Sequence, residues 1–187
     1  MDARADGGAP EAARGGAIEA LDAALLDEPL DYHDAEHYRL LAVLNLLENI
    51  AGGGGAGAWR RLARAVVAYL RTDLARHVAD EEDLVAILID APGVDAAARG
   101  LIESLRRGHA DVLAAAGRLA RALEARLHVD AADAREEVAR AAGAFITAQR
   151  ARLALKGDLL MPVARARLGA RQRRRLARRM AGRRAAR

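Results

Sequence analysis

Three interruptions cut most of this chain into four long stretches, and that division limits its fold more than any other feature. Gly52 to Gly57 cannot continue a helix, Ala91-Pro92-Gly93 ends one, and the chain turns again between His128 and Ala131. The stretches predict helices from about Asp31, read as a cap, to Ala51, from Ala58 to Asp90, from Asp95 to His128, and from Ala131 to Met161. Aromatic residues make up only 3% of the chain, and its bulk is Ala, Leu, Arg and Glu, which favours helix over strand. Four long helices joined by short turns imply an all-α, up-down-up-down four-helix bundle over residues 29–168. Residues 163–182 are helical by propensity, so residues 169–187 form an Arg-rich C-terminal helical extension. Residues 1–28 are expected to be flexible or short-helical, with Ala17 to Asp27 as a short helix and residues 1–16 frayed.

Along each stretch, core residues that recur alternately three and four apart mark an inward stripe. The first is Leu30, His33, His37, Leu40, Leu44; the second is Leu74, His77, Glu81, Leu84; the third is Leu105, His109, Val112. Four of the five histidines and one carboxylate therefore fall among Leu, Ile and Val. A single such histidine is more often a satisfied core residue than a ligand. Several on facing helices, with His77 and Glu81 one turn apart, form the kind of set that bundle metal sites use. His37 and His109 could complete an imidazole and carboxylate set suited to non-haem iron, manganese or zinc. The fourth stretch breaks the pattern: one stripe runs Phe145, Gln149, Arg152, Lys156, Leu159 and brings in two cations. A shifted register through Ile146, Leu153 and Leu160 leaves Arg152 at the margin with its stem snorkelling, and periodicity does not choose between the two.

These residues resemble the hemerythrin-like, HHE cation-binding family in its bacterial form. The resemblance rests on Pro29-Leu30-Asp31 followed by Glu36-His37-Tyr38-Arg39, on the run from His77 to Leu84, on His109, and on Leu153-Ala154-Leu155 leading to Leu160-Met161-Pro162, with Met180 and Arg183-Arg184 beyond. It implies a four-helix bundle holding a non-haem di-iron centre that binds dioxygen or senses oxygen, redox state or iron. Carried over by position, His37, His77, Glu81 and His109 match family ligands. His33 is an addition at a position the family leaves apolar. The fourth-helix histidine and carboxylate are replaced by Arg152 and Lys156. The expectation is a degenerate site with one metal or none, in which Arg152 and Lys156 pair with Glu81 in place of the metals; di-iron is disfavoured by like-charge repulsion.

Other classes compete less well. A working iron protein would need a centre rebuilt from His33 and carboxylates such as Asp34, Glu36, Asp80, Glu82 or Asp158, which are all expected to face water. Eleven of the 30 basic residues lie between Arg165 and Arg187 with no acid among them, so a net charge of +4 conceals an acidic body and a basic end. That end suggests nucleic-acid or anionic-surface binding, but arginines without aromatics attract phosphate without stacking on bases, so specific nucleic-acid recognition is disfavoured. His128 is expected at a solvent-facing helix end, and Trp59, Tyr32, Tyr38 and Tyr69 are read as packing residues. No cysteine is present, which excludes thiol chemistry. No apolar run is long enough to span a bilayer, and a cytoplasmic protein is expected. The glycine run lacks the context of a phosphate loop, no hydrolase triad is present, and no enzyme activity is expected. An alanine-rich bundle is compatible with self-association.

Overall fold

A computed structural model describes residues 18–52 and 58–185. The expectation for residues 1–16 and most of the glycine run lie outside the described residues. The fold is helical: a 3-10 turn (Ala23–Asp27), α1 (Pro29–Ala51), α2 (Ala58–Arg71), α3 (Asp73–Ile89), α4 (Ala96–Arg107), α5 (His109–His128), α6 (Ala132–Leu155), a π turn (Lys156–Leu160), α7 (Met161–Arg167) and α8 (Ala170–Ala185). These make four rods, namely α1, α2 with α3, α4 with α5, and α6 through the π turn to α7. α1 and α5 each lie against both α2 and α6, which closes the four-helix bundle.

Local chemistry sets the ends and breaks. α1 starts at Pro29, two residues before the expected cap, because a proline needs no partner for an N–H it lacks; Asp31 sits in the first turn, where a carboxylate suits the helix dipole. Asp95 caps α4 by accepting from the Ala98 N–H at 2.8 Å. Gly93, with φ of 79°, makes the turn before it in a region that side chains avoid. The second and third rods are each broken where one helix was expected. At Thr72 the hydroxyl donates to the Ala68 carbonyl at 2.7 Å, and the backbone ladder resumes with Arg76 N–H donating to Thr72 O at 3.2 Å. At Gly108 the N–H still donates to Ser104 O at 3.2 Å, so the rod bends without ending.

The apolar interior is in two parts. One holds Leu40, Leu44, Leu74, Val112, Phe145 and Leu153; the other holds Leu30, Leu84, Leu105, Leu160, Leu176 and Met180. Every rod passes from one part to the other through polar residues: His33 and His37, His77 and Glu81, His109, and Lys156. The basic C-terminal segment belongs to the second part. Leu176 and Met180 of α8 are fully buried, and α8 packs on α1, α3 and the 3-10 turn. No helix among the described residues is long and apolar enough to cross a membrane.

Candidate metal centre

The polar layer between the two apolar parts brings the histidines together. His33 and His37 lie one turn apart on α1, and His77 of α3 faces both, with ring centroids 6.1 Å from His33 and 5.4 Å from His37. His33, His77 and Glu81 are each 1% exposed. His109, at the start of α5, sets Nδ1 2.9 Å from Glu82 Oε2 and Nε2 3.5 Å from Glu81 Oε2. His37 is reached from solvent through a cavity of about 360 Å³ lined by Tyr38, Leu41, Leu153, Gly157 and Met161.

Lys156 fills the middle of this layer. Its Nζ lies 2.7 Å from Glu81 Oε2 and 3.4 Å from His77 Nε2, and its side chain is 3% exposed. The inward path along the fourth rod is Phe145, Gln149, Leu153, Lys156, Leu160, so each of the two registers open in the sequence is right in part. Arg152 departs from expectation. It does not pair with Glu81; its Nη2 donates to the Leu105 carbonyl at 3.0 Å, and its guanidinium lies over Gly108 in space a Cβ would occupy. A side chain so long at the margin reaches the unpaired carbonyls at the end of α4 more readily than the crowded interior.

Two carboxylates also depart from expectation. Glu36 and Asp80 are buried, 4% and 1% exposed, where water-facing positions were expected. Each faces guanidinium groups, those of Asp80 from far along the chain and that of Glu36 from one turn on in its own helix. Asp80 receives Arg183 and Arg184 of α8, both at 2.7 Å, and Arg184 also donates to the Tyr32 hydroxyl at 3.0 Å. Glu36 lies 3.4 Å from Arg39, which pairs with Asp73 at 2.7 Å. Both acids stand three residues beyond a stripe histidine, His33 or His77, which was the available signal that they sit at the edge of the inward face. Asp158 is exposed, as expected. Tyr38 is 73% exposed and is no packing residue, whereas Tyr32, Trp59 and Tyr69 are buried.

Charge in the layer follows from burial. Burial alone would push the Glu81 carboxyl up, but the Lys156 ammonium, with His109 and His77, more than offsets it and holds the group well below the usual carboxylate range. Burial, reinforced by Lys156, keeps His77 neutral. Burial lowers His33 to about 4 and His37 to about 3. These imidazoles are protonated more readily in the unfolded chain, so stability is complete above pH 6.5 and falls as pH drops from there. His33 alone contributes a loss of roughly 3 kcal/mol by pH 4. Glu36, raised by burial, works in the opposite sense. Urea unfolding at pH 7.5, 6 and 5 is expected to show a falling midpoint, with a flatter profile for His33→Phe; a profile unchanged by that substitution would contradict it.

The model of the hemerythrin HHE cation binding domain matches residues 28–180. The chain belongs to the hemerythrin family. Comparison with curated proteins and with solved structures finds no match. The domain in this family binds a cation, and the residues here can be tested against that. The ammonium of Lys156 stands between His77 and Glu81, the two positions carried over from the second-helix motif. Among the described residues, no three His, Asp or Glu side chains come close enough together to hold a metal ion. In this hemerythrin-family chain the donor set does not fit a two-metal centre.

Proposed function

We propose that this chain is a hemerythrin-family bundle whose centre is closed by a protein cation, Lys156, in the place that metal takes in the family. The observation that carries the reading is the buried ion pair of Lys156 with Glu81 at 2.7 Å. An acid this deep needs a positive partner, and a fixed ammonium supplies it without a metal. A divalent ion beside that ammonium would meet like-charge repulsion in a water-poor layer. On this reading the protein acts as a scaffold or sensor module and not as an oxygen carrier or an enzyme. Elemental analysis of protein reconstituted with ferrous iron should find less than one iron per chain, and Arg152→His/Lys156→Glu should gain iron. Two irons per chain in the unaltered protein would overturn the reading.

One observation favours a second reading, a single cation held towards α1. Nε2 of both His33 and His37 is buried with no hydrogen-bond partner among the described residues, and a neutral imidazole nitrogen without a partner is a ready ligand. One metal per chain, lost in His33→Phe, would establish that reading in place of the first.

A further inference from the structure

The eight arginines of α8 divide into two sets. Arg173, Arg179, Arg183 and Arg184 are engaged. Arg183 and Arg184 bind Asp80, Arg179 and Arg183 pair with Asp83, and Arg173 donates to the backbone of Leu168 and Arg165. Arg171, Arg174, Arg175 and Arg178 are all exposed, and among the described residues they have neither an ion pair nor a side-chain hydrogen bond. Their spacing of i, i+3, i+4 and i+7 puts them on one face of the helix. The opposite face carries the buried Leu176 and Met180.

From this segregation we infer that the outer face of α8 is a docking surface for the sugar-phosphate backbone of duplex DNA. Four guanidiniums over eight residues span about 10 Å of helix, the length of roughly three phosphates of one strand. Guanidinium geometry matches phosphate oxygens, and the ion pairs to Asp80 and Asp83 hold the helix in place, so the stripe is ordered before it meets a partner. α8 carries no aromatic residue to stack on a base, so binding is independent of sequence. A bilayer fits less well. Surface-bound helices insert an apolar face, and the apolar residues of α8 are already used inside the bundle.

Fluorescence anisotropy with a labelled duplex of about 20 base pairs, using the full chain, tests the surface. Affinity is expected to fall roughly 100-fold between 50 and 200 mM salt, the slope for about four displaced counterions. R171Q/R174Q/R175Q/R178Q should lose at least about tenfold in affinity at 50 mM salt and show a flatter salt dependence, with an unchanged circular dichroism spectrum and unfolding midpoint, since the four exposed side chains make no ion pair or side-chain hydrogen bond among the described residues. Unchanged affinity in that variant overturns the proposal. So does retention on phosphatidylserine vesicles without duplex binding, which would assign the stripe to a membrane surface.

Discussion

Lys156→Ala is expected to lose about 3–5 kcal/mol of folding stability, the largest effect of any single substitution in the polar layer. The substitution removes the ammonium 2.7 Å from Glu81 and leaves a carboxylate that is 1% exposed with no full positive charge against it. The imidazole of His77 is a poor substitute, since burial holds it neutral. The effect should depend on the pair. Lys156→Met combined with Glu81→Gln removes both charges and keeps most of the volume, so it should recover most of the loss. Urea midpoints for the single and double variants check this. A Lys156→Ala protein within about 1 kcal/mol of the parent would show that Glu81 is stabilised by something other than Lys156.

Removing α8 by truncation after Leu168 should have a comparable or larger effect, roughly 5 kcal/mol, which is of the order of the whole stability of a domain. Leu176 and Met180 are both fully buried, and each contributes about 1.5–3 kcal/mol through burial. Truncation also strips Asp80 of both its guanidinium partners, next in sequence to Glu81. The truncated chain is expected to keep helical circular dichroism and lose cooperative unfolding. A sharp transition at the parent midpoint would mean that α8 is peripheral. The α8 quadruple glutamine variant separates the two roles of this helix, because its four positions lie outside the buried and ion-paired faces.

The parts of this structure legible in the sequence are those governed by local spacing. Stripes of three and four place His33, His77, Glu81 and His109 inside and His37 at the edge of the interior, and flanking leucines on each rod place the layer between two apolar regions. Lys156 was legible for the same reason. Arg152 was not, because a long flexible side chain at a stripe margin has several acceptors within reach, and its choice of Leu105 depends on the bend at Gly108. A glycine immediately before His109, inside a helical pattern, was the local sign of that bend. Asp80 escapes a reading by spacing for a longer-range reason, since Arg183 and Arg184, which make its burial tolerable, come from more than 100 residues away; the partner of Glu36, Arg39, stands one turn on in its own helix. The arginine run read as a charge excess hid a division of labour visible only once α8 is docked.

The π turn at Lys156–Leu160 also fixes the length of the fourth rod to the residue. It joins the inward face of Phe145, Gln149 and Leu153 to that of Leu160 and Ala164, and it sets Lys156 at the junction. Rewinding it to a plain α-helix with all five residues kept would swing everything downstream by about 100° about the axis, the rotation of one residue. Leu160 and Ala164 would then turn away from their neighbours. A homologous chain whose fourth rod runs through here as a plain α-helix is therefore expected to be one residue shorter within those five positions.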